Sequence, residues 1–278
     1  MGEISADYEI VIKPSYGILD LNWKELWEYR ELLFFLALRQ IKIKYKQSVI
    51  GIGWAILQPF FTMVVFTLIF GGLAKMPSEG VPYALFSYSG LLLWTYFSNS
   101  LTQSSTSLVG SSALLQKVYF PRLFIPTAPC LSNLLDYVIA LSIIFLMMIY
   151  YWFAPPLAIL LLPVVLFFTL LCAVGLGCIL SSICVKYRDV QFALPFFIQL
   201  LMFLSPVIYP IDIIPEAFRS LLYLNPLTGL INAHRACLLG HAEIDFFGLE
   251  LSMAMCVILF VAGVLYLRKT EKYFADLV

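Results

Sequence analysis

Long runs of apolar residues, separated by short polar connections, dominate the chain. A run of about twenty apolar residues can cross a bilayer as an α-helix, because the helix pairs every backbone N–H and C=O within itself. Six runs reach that length, and the second is much more polar than the others. They cover residues 50–70, 83–109, 126–150, 157–185, 190–209 and 249–267. The pattern predicts an all-α integral membrane protein, with a six-span domain of residues 50–278 behind a cytoplasmic arm of residues 1–49.

Composition and the placement of charge agree with this prediction. Hydrophobic residues make up 62% of the 278 positions and charged residues only 12%, against roughly 25% charged in soluble domains. All but three of the 17 Lys and Arg residues lie in the arm, in every second connection or in the C-terminal tail; the three are Lys75, Arg219 and Arg235. Because basic residues are retained on the cytoplasmic side, a multi-pass protein with both termini cytoplasmic is expected.

The arm has a helical pattern of its own. Apolar residues recur at helical spacing over residues 23–41 with charged residues between them, which predicts an amphipathic helix in the membrane interface. The end of this helix is strongly basic, at Arg39, Lys42, Lys44 and Lys46. These cations either anchor the arm on the cytoplasmic side or receive an anionic lipid head group, such as a diphosphate. These four residues are therefore our candidates for lipid head-group binding.

The second apolar run carries a polar stripe. Its polar residues advance by three or four positions, so they share one side of a helix, where contact with lipid would be costly. The stripe either packs against a neighbouring helix, with Ser100 and Ser104 as a small-residue contact, or lines a hydrated path for a neutral polyhydroxylated substrate. The residues predicted for such a translocation path are Ser89, Tyr96, Ser100, Gln103, Ser104 and Ser107.

Two other runs contain residues that indicate contacts between helices. Asp136 is acidic and lies well inside a run, at a cost of about 2.5–3.5 kcal/mol near the bilayer centre, so a partner is expected. With Asn133 one turn earlier, it ties helices together or lines a wet cavity. Ala173, Gly177 and Ser181 are spaced by four and allow a close approach of another helix, which predicts packing only.

Two connections have a helical pattern. Residues 113–120 predict a short apolar and basic helix ended by a proline, which is either a docking element for a cytoplasmic partner or an ordinary turn at the interface. On the opposite side, residues 211–248 are too apolar for a solvated loop. Pro215 and Pro226 each begin a helix, and Gly240 caps the second. This predicts a re-entrant outer helical hairpin between spans five and six, which protein or a cavity must cover.

The sequence has no catalytic, nucleotide-binding or metal-binding pattern. No glycine is followed by lysine, as a phosphate-binding loop requires, and no metalloprotease or serine-hydrolase motif occurs. Most of the six cysteines lie inside predicted spans, which indicates apolar packing, and His234 and His241 have no metal-type neighbour. The chain is predicted not to be an enzyme and to hold no metal, so uphill transport must take its energy from a partner.

Five segments stand out as motifs: LRQIKIKYKQSVIGIGWAILQP at 38–59, KVYFPR at 117–122, CVKYRDV at 184–190, SPVIYP at 205–210 and LNPLTGLINAHR at 224–235. Their order and spacing resemble the permease subunit of type 2 ABC exporters, in the branch that exports O-antigen and related polysaccharides. The resemblance implies a homodimer with two ATP-binding cassette subunits, surrounded by the lipids of a bacterial inner membrane. The complex would export lipid-linked polysaccharide across that membrane. ATP and Mg²⁺ would bind the partner subunits, with no cofactor on this chain and no nucleic-acid partner.

The resemblance also implies two sets of functional residues. The coupling element that touches the ATPase would contain Leu114, Lys117, Tyr119, Phe120 and Arg122. The outer gate would contain Phe218, Leu222, Leu227 and Ile231.

Other functions stay open at this stage. A permease of the same type could carry teichoic acid, capsule, lipo-oligosaccharide or a drug. From different classes, the chain could be a membrane enzyme of glycan assembly or a passive channel.

Overall fold

The computed structural model describes residues 23–46, 51–240 and 245–277, and the regular elements within these ranges are all helical. The all-α prediction is confirmed. The α-helices are α1 Trp23–Glu28, α2 Arg30–Lys46, α3 Gly53–Phe66, α4 Tyr83–Gly110, α5 Ser112–Leu115, α6 Phe124–Tyr150, α7 Leu162–Lys186, α8 Val190–Phe203, α9 Glu216–Leu222, α10 Pro226–Leu239 and α11 Phe246–Leu277. A π-helical segment, Thr67–Leu73, continues α3, and 3-10 turns at Leu157–Leu161 and Ile211–Ile213 precede α7 and α9.

Among the described residues, four helices are long and apolar enough to cross a membrane: Gly53–Leu73, Phe124–Tyr150, Leu157–Lys186 and Phe246–Glu271. Helix α4 has 28 residues, a length of about 42 Å, but it is more polar than these four. Helix α8 has only 14 residues. It ends at Phe203, before the predicted span end at residue 209, and Pro206 disfavours helical backbone in the residue before it. The count of six spans stays a prediction.

The arm is helical but divided. The expected single helix is two helices, α1 and α2, with a turn at Tyr29 between them. Helix α2 buries Leu36 and Ala37 against the protein, while Phe34 and Phe35 are 66% and 63% exposed. Exposed aromatic side chains of this kind suit insertion between lipid head groups and acyl chains.

The polar helix α4 is largely enclosed by other helices. It packs between α6 and α7 and is buried along nearly its whole length, with Leu85, Phe86, Tyr88 and Phe97 fully inaccessible. Its hydroxyl groups are therefore satisfied by protein, because the alternative in a membrane would be unpaired polar groups in hydrocarbon.

Small residues set the closest helix contacts. Helices α7 and α11 cross at Gly175 and Gly263, where a Cβ on Gly175 would lie 2.5 Å from the Leu259 carbonyl oxygen. Gly177 faces Ser104 of α4, with 2.8 Å between a hypothetical Cβ and the Ser104 Cβ, and Ala173 and Ser181 are buried beside it. The packing prediction for this trio is confirmed. All six cysteines are buried free thiols, as apolar packing requires.

The two patterned connections differ in how well the sequence predicted them. Between α4 and α6, the helix expected over residues 113–120 is wrong in extent, because α5 spans only Ser112–Leu115 and a turn follows it. In the outer segment, α9 and α10 occur where two helices were expected, and α10 ends at Gly240 with φ +64°, a C-cap that glycine adopts without strain. Whether this pair is re-entrant stays a prediction.

Candidate functional site

The last turn of the arm is clasped to α6. The Lys44 ammonium forms an ion pair with the Asp136 carboxylate, and the Tyr45 hydroxyl donates to the same carboxylate. Lys44 also donates to the side-chain oxygen Oδ1 of Asn133 at 3.2 Å. Burial raises the pKa of the Tyr45 phenol, and the hydrogen bond to Asp136 raises it further. The partner expected for Asp136 is therefore present, and it joins two elements that are far apart in the chain.

A polar cavity of about 240 Å³ lies beside this clasp, between α2, α3, α4 and α6. Its lining is mixed. The polar and aromatic lining residues include Trp54, Gln58, Tyr96, Asn99, Gln103 and Asn133, the charged ones are Lys44 and Asp136, and the apolar ones are Ala55, Pro59, Leu92 and Ala140. Because these two charges pair with each other, the cavity is close to neutral. Carboxamides can donate and accept hydrogen bonds at once, so this lining suits a neutral polyhydroxylated ring. Both alternatives for Asp136 hold, since it ties helices and lines a cavity.

The polar stripe of α4 is divided between this cavity and helix contacts. Tyr96 and Gln103 line the cavity. The serines predicted for the path are buried against protein: Ser104 donates to the Pro126 carbonyl of α6 at 2.7 Å, and Ser100 accepts a 3.4 Å bond from Asn133. Ser89 and Ser107 donate within α4, to the carbonyls of Phe86 and Ser104. The structure therefore brings two of the six path residues together, and a path role for the four serines stays a prediction.

The basic residues of the arm lie on two sides of α2. Arg39, Lys42 and Lys46 share one face and line a cleft of about 320 Å³ together with Phe35, Leu38 and Ile43. Lys44 lies on the side that contacts α6. Three of the four predicted head-group cations are thus together, beside apolar side chains that could contact an acyl chain.

The residues predicted to couple with an ATPase form one anchored segment. Phe120 is buried, whereas Tyr119 is 61% exposed. Arg122 forms an ion pair of 3.2 Å with Glu271 of α11 and donates to its backbone carbonyl. The segment is therefore tied to the end of the last helix and leaves the Tyr119 side chain exposed on the protein surface.

The predicted outer-gate residues do not share a surface. Leu227 and Ile231 of α10 are buried in the core, while Phe218 of α9 is 59% exposed. Helix α10 also carries His234, whose Nε2 is 2.7 Å from the Tyr137 hydroxyl of α6, and Arg235, which is only 1% exposed.

Residues 31–239 match the family model described as ABC-2 type transporter. This chain belongs to the ABC-2 type transporter family. The family resemblance indicated by the five motifs is confirmed, and the match contains α2, the polar cavity, the coupling segment and α10.

Several relatives within this family cover nearly all of the chain. The O-antigen export system permease protein RfbA of Myxococcus xanthus is 32% identical over 255 residues, which are 91% of this chain and 97% of that protein. A protein of the same name from Klebsiella pneumoniae is 25% identical over 248 residues, 89% and 95% of the two chains. The polysialic acid transport protein KpsM of Escherichia coli is 26% identical over 241 residues, 85% and 92% of the two chains.

Several residues of this candidate site were not predicted from the sequence. Asn99 lies four positions before the predicted path residue Gln103 on α4, and Trp54 and Gln58 are four apart on α3, so helical spacing could have indicated the two cavity walls. Glu271 and Arg235 carried no local signal, because their partners lie in distant parts of the chain. Within the described ranges, no three His, Cys, Asp or Glu side chains come together as metal ligands.

Proposed function

We propose that this chain is the transmembrane permease subunit of an ATP-driven exporter that moves lipid-linked polysaccharide of the O-antigen type across a bacterial inner membrane. In this proposal it is a homodimer with both termini cytoplasmic, and two ATP-binding cassette subunits bind ATP and Mg²⁺. Family membership and the names of relatives that cover most of the chain support the proposal.

One observation carries the proposal further than the family does. The basic cleft of Arg39, Lys42 and Lys46 and the neutral polar cavity lie on opposite sides of the end of α2. A lipid-linked glycan contains the two matching chemistries, an anionic phosphate group beside a chain of uncharged polyhydroxylated rings. In the proposed mechanism the cleft receives the lipid phosphate, and the cavity side of α4 takes the glycan.

The relatives also include proteins named for polysialic acid transport, and polysialic acid is a polymer of acidic sugars. The cavity favours neutral rings, because its one cationic lining residue, Lys44, is paired with Asp136. We therefore propose a neutral glycan of the O-antigen type ahead of an acidic capsular polymer.

The energy source lies outside this chain in the proposed mechanism. Arg122 and Glu271 hold the coupling segment against α11, which would transmit a push on Tyr119 to a membrane helix as well as to the adjoining α6. An ATPase docked at this segment could therefore move α6 and α11 together.

Purification from native membranes tests the proposal. The chain should copurify with an ATPase in equal amounts, and added lipid-linked glycan from the same cells should change the rate of ATP hydrolysis by severalfold. The isolated chain should neither transport nor modify the glycan. Turnover of glycan by the isolated chain would favour a membrane enzyme, and an unchanged hydrolysis rate would contradict this cargo.

A further inference from the structure

The guanidinium of Arg235 joins three outer elements of the fold. Its Nη2 donates to the carbonyl oxygens of Pro206 and Val207 at 3.0 and 3.2 Å. These carbonyls belong to residues 204–210, the turn between α8 and the 3-10 turn before α9, here named the outer turn. The guanidinium carbon also lies 3.7 Å from the ring centroid of Phe86 on α4. One side chain of α10 therefore holds the outer turn against α4.

Other side chains hold the same turn. Asn225, the N-cap of α10, donates to the Ser205 hydroxyl at 2.8 Å, and the Tyr83 hydroxyl of α4 donates to the Ile208 carbonyl at 2.8 Å. Gly90 of α4 has no room for a side chain, because a Cβ would lie 2.8 Å from both the Arg235 Nη2 and the Val207 carbonyl oxygen. The SPVIYP and LNPLTGLINAHR motifs are thus bound to each other.

The arrangement of Arg235 is unusual for a purely structural residue. The side chain is 1% exposed, and its Nε and Nη1 atoms have no hydrogen-bond partner within the part of the chain that the structure describes. A buried cation with two unpaired donor nitrogens is only partly compensated. The pKa of the Glu79 carboxyl is raised, chiefly by burial, and the Arg235 guanidinium offsets part of this rise. The Glu79 carboxyl is therefore within electrostatic reach of Arg235. The guanidinium would gain from exchanging carbonyl partners for water or a carboxylate.

The elements on the two sides of this contact differ in how firmly they are held. Helix α10 is fixed to α11 by a 3.2 Å bond from the Gly229 amide to Ser252, and to α6 by the contact of His234 with Tyr137. Helix α8 buries only Leu194 and Ile198. Release of the outer turn would therefore free α8 and the start of α9, while α10 stays in the bundle and holds the end of α9 through the 2.9 Å bond from the Thr228 hydroxyl to the Leu222 carbonyl.

We propose that Arg235 is a positioning residue for export, which latches the outer turn onto α4 and α10 in a closed state, and that opening of the outer end requires this latch to release. The inference rests on the proposed function, because it assigns the latch to the export cycle. It names the two motifs that separate when the path opens.

A reversible bridge across the latch tests this directly. Ser205→Cys and Asn225→Cys are combined in the permease assembled with its ATPase, and the two thiols are joined with a short bis-methanethiosulfonate reagent. Glycan export should fall at least tenfold when the bridge forms and should recover on reduction, while copurification of the ATPase is unchanged. The same variant before bridging and each single-cysteine variant are the matched controls. Equal export in the bridged and reduced forms would overturn the latch proposal and leave the proposed function intact.

Substitution of Arg235 gives a second readout. Arg235→Met should lower the glycan exported per ATP hydrolysed at least tenfold, whereas Arg235→Lys, which keeps a cation that can donate hydrogen bonds, should retain a larger part of that ratio. If the Met variant exports as much glycan per ATP hydrolysed as the unaltered protein does, the latch proposal is wrong. If the unaltered complex exports no glycan at all, the proposed function fails, and this inference fails with it.

Discussion

Lys44 of the arm helix and Asp136 of α6 form an ion pair at the edge of the polar cavity. The Lys44 and Asp136 side chains are 34% and 15% exposed, so the pair is partly shielded from water. Asn133 and Tyr45 complete its hydrogen bonds. The pair ties the last turn of α2 to α6 beside the cavity.

The ion pair should contribute measurably to stability. Asp136→Leu leaves the Lys44 ammonium without its carboxylate and should lower the melting temperature of the solubilised protein. Adding Lys44→Met should recover part of that loss, with a coupling free energy of about 0.5–3 kcal/mol in a double-mutant cycle. Additive effects of the two substitutions would show that the pair does not hold the arm.

The crossing of α7 and α11 should tolerate no side chain at its centre. Gly175→Ala would place a Cβ 2.5 Å from the Leu259 carbonyl oxygen, and overpacking of this kind costs about 1–3 kcal/mol. Gly110→Ala is the matched control, because nothing lies within 4 Å of the added Cβ at the end of α4. Thermal unfolding in detergent should separate the two variants, and equal melting temperatures would contradict the close crossing.

The basic cleft should bind anionic lipid. Replacement of Arg39, Lys42 and Lys46 by glutamine removes three cations, each worth about 1 kcal/mol near an anionic surface. Binding of a lipid diphosphate to the purified complex should weaken by at least tenfold, and the remaining binding should depend less on salt.

Lys24→Gln is the control for the cleft, because Lys24 is an exposed cation on α1 outside it. Binding that falls equally in both proteins would indicate general attraction to the membrane rather than a head-group site.

The cavity should be needed for export of a neutral glycan. Asn99→Leu and Gln103→Leu remove carboxamides that line the cavity, so export should fall severalfold while assembly with the ATPase is retained. Leucine at Ser104 is a poor test, since Ser104 contacts Gly177 and the larger side chain would disturb helix packing.

Thr106→Val serves as the matched control for the cavity variants. The Thr106 hydroxyl bonds to carbonyls of its own helix, and Thr106 is not among the lining residues of the cavity. Full export in Asn99→Leu and Gln103→Leu would favour an apolar cargo, such as a drug, over a glycan.

The sequence by itself determined several of the long helices and the family. Runs of apolar residues are sufficient to define α6, α7 and α11, because a membrane helix satisfies its backbone locally. Pro226 and Gly240 likewise determined both ends of α10, since their backbone preferences act within one or two residues. The five motifs indicated the ABC-2 family before any contact was known.

Only the tertiary structure decided which polar groups meet. Asp136 was expected to have a partner, but nothing local identifies Lys44, which lies 92 positions away. The same holds for Arg235 with Val207 and for Arg122 with Glu271. Hydrogen bonds and ion pairs act over a few ångströms between side chains brought together by packing of whole helices, whereas hydropathy and turn preference act along the chain. The contacts of the site therefore depend on the tertiary structure, whereas the helices that carry them follow from the sequence pattern.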